Sequence, residues 1–257
     1  MKYNIGIDIG STCAKTIVLD ENKQIIHRLL QPTGWSSVDT AESIRSQLTQ
    51  LGIDWNQAAV VATGYGRISV PYAHKCVTEI TCHARGACHI FRSDNLVVVD
   101  IGGQDTKLIC VEDGMVKDFI MNDKCSAGTG RFLEIMANTL AVKPEELCEL
   151  ASSGGGVSIS SMCTVFAESE VISLIGRGEK KENIAFAVVD SIVKKVASQA
   201  GRLALNNSKV CLTGGLCDFA YLRTSLEKKL AVPVTACPDA RYAGAIGAAL
   251  SASSIRK

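Results

Sequence analysis

The sequence predicts an α/β fold made of two copies of one domain. Three observations carry that expectation: an internal echo, strand-turn-strand patterning in both copies, and helical segments after each. Residues 5–20, Ile-Gly-Ile-Asp-Ile-Gly-Ser-Thr-Cys-Ala-Lys-Thr-Ile-Val-Leu-Asp, align with residues 97–112, Val-Val-Val-Asp-Ile-Gly-Gly-Gln-Asp-Thr-Lys-Leu-Ile-Cys-Val-Glu. Asp8 falls on Asp100, Gly10 on Gly102 and Lys15 on Lys107, a spacing of 92. Solenoid repeats run to roughly 20–50 residues, so a duplicated domain is the better account.

The elements follow in order. In each copy a β-branched strand ends in Asp-Ile-Gly, a polar turn follows, and a second apolar strand covers 16–19 or 108–111. The turn formers Asp20-Glu21-Asn22 and Glu112-Asp113-Gly114 lead to third strands at 24–26 and 116–120. The first half continues with a helix over 37–51, a strand over 59–62 and the turn Gly64-Tyr65-Gly66. The second half carries helices at 128–140, 144–151, 164–175 and 182–205, interrupted by the loop Ser152-Ser153-Gly154-Gly155-Gly156. A last unit has strand 209–212, the turn Thr213-Gly214-Gly215, a helix over 221–230, strand 232–235 and a final helix from Ala243. The expected domains are therefore 1–93 and 94–243, hinged near Asp94, with helix 244–257 packing back on the first.

Composition excludes several functions. A net charge of +1 with 5% aromatic residues supplies neither the electrostatic footprint nor the stacking surface of a nucleic-acid binder. No apolar run approaches the ~18 residues of a membrane span. The chain meets Asp8 before a signal-like region develops, so the expected compartment is the cytoplasm. Eleven cysteines are many for a reducing compartment, where thiols either pack as small apolar groups or ligate metals.

A turn directly after a buried strand, built from Gly and small hydroxyl residues, lets backbone N–H groups approach an anion closely. Phosphate is the natural ligand. Gly10, Ser11, Thr12 and Cys13 form the first such turn, with Lys15 as a point charge and Asp8 able to hold magnesium through water. Gly102, Gly103, Gln104 and Asp105 form the second, with Asp100 in the role of Asp8 and Gln104 placed to orient an attacking water. Gly214 and Gly215 suit close approach to an adenosine ring. One Asp-x-Gly turn alone reads as an ordinary polar turn; two matched copies point to a nucleotide. No Gly-x-x-x-x-Gly-Lys-Ser/Thr and no Gly-x-Gly-x-x-Gly follows a strand, so neither a P-loop nor a dinucleotide fold is expected.

These three motifs resemble those of the superfamily of actin, the hexokinases and the heat-shock chaperone ATPases. The resemblance implies two ribonuclease-H-like (actin-like ATPase) domains with a nucleotide cleft between them, closing around ATP and magnesium.

Two cysteines stand apart by context. Cys125, in Asn122-Asp123-Lys124-Cys125-Ser126-Ala127-Gly128-Thr129-Gly130-Arg131-Phe132, and Cys163, in Cys163-Thr164-Val165-Phe166-Ala167-Glu168-Ser169-Glu170-Val171, both open helices, where a thiolate or an anionic cluster is favoured. A 4Fe-4S cluster normally takes four thiolates, so a two-fold dimer would have to supply the other pair; buried small thiols are the alternative. The other nine read as packing or surface thiols, Cys82-His83 and Cys88-His89 included.

Both cysteine segments are similar to those of the activator (component A) of the 2-hydroxyacyl-CoA dehydratases, a family that includes the ATPase subunits of benzoyl-CoA reductase. Ala62-Thr63-Gly64-Tyr65-Gly66-Arg67 and Gly244-Ala245-Ile246-Gly247-Ala248-Ala249 extend the match end to end. The resemblance implies a homodimer with one 4Fe-4S cluster bridged by Cys125 and Cys163 of each subunit. It also implies ATP-driven electron delivery to a partner iron-sulfur dehydratase or reductase, from a donor such as ferredoxin or flavodoxin. Lowering a one-electron couple by a few hundred millivolts needs on the order of 5–10 kcal/mol, which nucleotide-driven closure would have to supply. Where the family has Gln before Tyr242, this chain has Arg241, whose guanidinium could stack on adenine. Two rivals share the fold: a sugar-type small-molecule kinase using Asp100 as base, and a non-enzymatic module that dimerises on ATP.

Overall fold

The computed structural model describes residues 2–160, 163–203 and 208–255. Two five-stranded sheets organise them. The first is built from β1 (Tyr3–Ile9), β2 (Cys13–Leu19), β3 (Ile25–Pro32), β4 (Ala58–Thr63) and β5 (Lys75–Cys76), in the order β3-β2-β1-β4-β5. β1 runs antiparallel to β2 and parallel to β4, which sets Asp8 opposite Lys15 on one side and Thr63 on the other. Contacts group residues 1–98, 111–117 and 239–257 into one compact unit and 99–110 with 118–238 into another.

The alternation of β1 decides what packs on each face. Ile5, Ile7 and Ile9 form a buried cluster with Ala41, Ile44 and Leu48 of α1 (Ser37–Gln50). Gly6 lies in close contact with the Ala245 carbonyl and the Ala249 amide of α8 (Ala243–Ala252). Such backbone approach requires glycine on the strand, since any Cβ would meet helix backbone. The same device recurs where Gly86 of α2 (Glu79–Phe91) meets the Ala243 carbonyl and where Gly247 meets that of Cys82. The C-terminal helix thus packs against β1, β2, β4 and α2.

The second sheet runs β10-β9-β6-β7-β8 and consists of β6 (Leu96–Ile101), β7 (Thr106–Glu112), β8 (Met115–Asn122), β9 (Lys209–Gly214) and β10 (Val234–Thr235). Its order repeats that of the first, strand for strand. Around it stand α3 (Gly130–Thr139), α4 (Pro144–Ala151), α5 (Thr164–Gly176), α6 (Lys181–Ala200) and α7 (Ala220–Leu230). α6 buries Ile184, Val188, Ile192 and Val196 at helical spacing and touches the other four.

Some boundaries differ from the sequence expectation. The third strand extends to Pro32, because its alternating half-exposed and exposed residues suit a sheet edge, where proline is tolerated. α6 stops at Ala200 with Gly201 as its cap, short of the expected Leu205, of which stretch 204–205 lie outside the described residues. The last helix stops at Ala252, short of the expected 257, of which 256–257 lie outside the described residues. The two-residue strand β5 carries no periodic signal and went unread.

Candidate functional site

Each unit carries one strand-end aspartate and one Gly turn in matching geometry. In the first, the Gly10 N–H donates to the Cys13 carbonyl at 3.1 Å; in the second, the Gly102 N–H donates to the Asp105 carbonyl at 2.9 Å. The parallel neighbour strand then closes over the aspartate. Gly64, at φ +88°, lies against the Ile9 carbonyl, and a Cβ there would stand 2.6 Å from Asp8 Oδ1. Gly214, at φ +87°, lies against the Ile101 carbonyl, with Asp100 Oδ1 at 2.9 Å from the same construction. Gly66 donates to Ile9 O at 2.9 Å and Gly215 to Ile101 O at 3.2 Å. Left-handed backbone and lack of space both demand glycine at 64 and 214.

Asp8 and Asp100 are buried, while Ser11 and Gln104 are exposed and Thr12, Cys13, Lys15 and Gly103 half-buried, so the donors face outward from fixed carboxylates. In the first unit the Thr33 hydroxyl donates to the Gly10 carbonyl at 2.7 Å and the Thr33 N–H to Thr12 O at 2.9 Å. Gly244 opens α8 beside Asp8: a Cβ there would stand 2.5 Å from Asp8 Oδ2 and 2.8 Å from His83 Nε2. The buried imidazole therefore belongs to the surroundings of Asp8. The sequence reads it as packing, and its burial on α2 beside Asp8 exists only in the folded chain.

In the second unit Asp100 is held at both oxygens. The Thr213 hydroxyl donates to Oδ1 at 2.8 Å, and Lys107 Nζ lies 3.5 Å from Oδ2. Lys107, 2% exposed, also donates to Asp105 Oδ2 at 2.6 Å, so one buried cation spans both carboxylates of the turn. Lys107 was not singled out from sequence beyond its alignment with Lys15. Arg241 is half-buried in the 3-10 helix Pro238–Tyr242 directly before α8, in the first unit.

The cysteine segments are brought together. Ser126, next to Cys125, shares a hydrogen bond of 2.7 Å with Thr164, next to Cys163. Cys163 caps α5 and is exposed; Cys125 is half-buried in the loop before α3. Among the described residues no group of three or more His, Cys, Asp or Glu side chains could hold a metal ion. Cys82 and Cys148 are packed thiols: burial is the chief cause that pushes the pKa of both up to about 12. None of the described helices is long and apolar enough to cross a membrane.

Two sheets of one strand order, each with an Asp-Ile-Gly turn at the end of its central strand, define the actin-like fold. The chain belongs to the BadF/BadG/BcrA/BcrD ATPase family, whose pattern matches residues 5–252. It is 44% identical over 253 residues to the (R)-2-hydroxyglutaryl-CoA dehydratase activating ATPase of Acidaminococcus fermentans, covering 97% of this chain and 96% of that protein. The crystal structure of component A of that dehydratase superposes with a TM-score of 0.92 at 42% identity, covering 98% of each chain. The activator of the 2-hydroxyisocaproyl-CoA dehydratase from Clostridium difficile, solved with bound ADPNP, gives a TM-score of 0.90 at 35% identity, covering 98% of this chain and 94% of that one.

Proposed function

We propose that this ATPase is an electron-transfer activator: a homodimer that holds one 4Fe-4S cluster between its subunits and uses ATP to deliver a low-potential electron to a partner iron-sulfur enzyme. The partner is a 2-hydroxyacyl-CoA dehydratase or a related acyl-CoA reductase, and the electron comes from a ferredoxin- or flavodoxin-type donor. The observation that carries this reading is the Ser126–Thr164 hydrogen bond, which sets the Cys125 and Cys163 segments side by side. These residues fit the group: two thiols per chain, one exposed at a helix start, make half of a four-thiolate set. A second copy completes it about a two-fold axis. When bound, the cluster supplies a one-electron couple at low potential.

The chain's own residues do the rest. Asp8 and Asp100, at the ends of buried strands, would hold magnesium through water. Backbone N–H groups at Gly10, Ser11, Thr12, Gly102 and Gly103, with Lys15, grip the phosphates, and Gly214, Gly215 and Arg241 serve the adenosine. Gln104, exposed on its turn, orients the attacking water. The test is iron and sulfide analysis after anaerobic purification: about four iron per dimer in the wild type, with the full loss in Cys125→Ala and in Cys163→Ala. Either variant keeping its iron removes that residue from the ligand set, and an iron-free wild type removes the reading.

A further inference from the structure

A continuous set of hydrogen bonds joins the second Gly turn to the cysteine loop, all within one unit. We propose that Thr106 is a positioning residue that makes the geometry of Cys125 and Cys163 follow the state of the nucleotide turn; this rests on the cluster reading above. The first two N–H groups of α3, those of Gly130 and Arg131, donate to the carbonyls of Gly102 and Gly103, each at 2.8 Å. The helix therefore hangs on the turn that would grip phosphate. At the start of β7, Thr106 is 1% exposed and its hydroxyl donates to the Gly128 carbonyl at 2.8 Å. Gly128 itself sits at φ +85°, where a Cβ would stand 2.8 Å from Cγ of Lys195, so the loop is closely packed there.

From Gly128 the connection runs on without a gap. The N–H and hydroxyl of Thr129 both donate to the Ser126 carbonyl, at 3.0 and 2.6 Å. The Asn122 amide donates to the carbonyls of Cys125, at 2.8 Å, and Ala127, at 3.4 Å. Ser126 then meets Thr164 at 2.7 Å, and the Cys163 carbonyl accepts from the Ala167 N–H at 2.9 Å as α5 begins. Of these ties, the one at Gly102 and Gly103 is made by backbone; the one at Gly128 is made by the Thr106 hydroxyl.

The first copy supplies an internal control. Its counterpart of Thr106 is Ala14, and its turn is held instead by Thr33. A hydroxyl is present in the copy whose turn leads to a cysteine loop and absent in the other. A buried carbonyl that loses such a donor is free to shift, so a Thr106→Val chain would keep its strand but loosen the loop from the turn. Spatial continuity alone does not prove coupling, so the test must read coupling itself.

Holoprotein purified anaerobically is mixed with an iron chelator in the presence of ADP or of ADPNP, and the rate of iron release is followed with the visible circular dichroism of the cluster. Wild type should show a nucleotide-dependent ratio of rates in the roughly 5–150-fold range of ordinary site-to-site coupling. Thr106→Val should bring that ratio to about one with iron content and ATP hydrolysis within about twofold, and Thr106→Ser should restore it. A wild-type ratio of one, or a Thr106→Val ratio equal to wild type, overturns the proposal. If Thr106→Val does not fold, Ser126→Ala cuts the same connection at its far end, and an unchanged ratio there overturns it. A wild type that binds nucleotide but no iron sinks the cluster reading, a result distinct from a cluster indifferent to Thr106.

Discussion

The turn after β1 and the turn after β6 have the same backbone and different fastenings. Gly10 and Gly102 close on the residue three ahead, and Gly64 and Gly214 cover the aspartates with nearly equal φ angles. Side chains then diverge. Lys15 is half-buried, with Cys13 where the second copy has Asp105, whereas Lys107 is sealed between Asp105 and Asp100. The first aspartate instead has His83 and the start of α8 around it. Duplication preserved what phosphate requires, close backbone donors beside a carboxylate, and left free which groups set the local charge. In the first copy the start of the C-terminal helix lies beside the aspartate; in the second a lysine bridges two carboxylates.

The largest expected effect tests the charge difference. Lys107→Met leaves two buried carboxylates without their cation and should cost about 3–5 kcal/mol in chemical denaturation, whereas Lys15→Met should stay below about 1 kcal/mol. Equal losses would erase the contrast. Thr213→Val removes a hydroxyl donor to a buried carboxylate and should cost about 1.5–3 kcal/mol, with a matching fall in ATP turnover as Asp100 loses its fixed position. Thr33→Val, which loses a neutral hydrogen bond to Gly10, should cost about 0.5–1.5 kcal/mol, visible as a small midpoint shift, and should leave iron content untouched. The smallest effect concerns thiols in the metal-free chain at pH 8, read by mass spectrometry. Alkylation should reach exposed Cys76 and Cys163 and spare Cys82 and Cys148, because raised thiol pKa values near 12 keep them protonated until far more alkaline conditions.

How much of this was legible follows from the range of each interaction. Strand, turn and aspartate are local, so the echo between residues 5–20 and 97–112 marked both Asp-Ile-Gly turns; Gly214 was legible as part of a Gly-Gly turn suited to adenosine, not as the glycine that covers Asp100. Gly64 was legible as part of a turn after a strand, and Gly244 only as part of a family-like segment. Their reason, a carboxylate with no room for a Cβ beside it, exists only once strands distant in the chain are parallel. His83 read as packing because a spacing of six puts Cys82-His83 and Cys88-His89 on different faces of a helix, and nothing near it in the chain announces Asp8.

By itself the sequence determined the class of fold, the two turns and the two cysteine segments, because periodicity, glycine placement and short motifs act over a few residues. The tertiary structure decided which lysine is buried, which imidazole attends Asp8, and that Ser126 meets Thr164. Burial and hydrogen bonding depend on what the folded chain brings from elsewhere, and identical residues at matched positions acquire different surroundings. Lys15 and Lys107 occupy equivalent places in the echo. Only packing made one of them the buried bridge between two carboxylates.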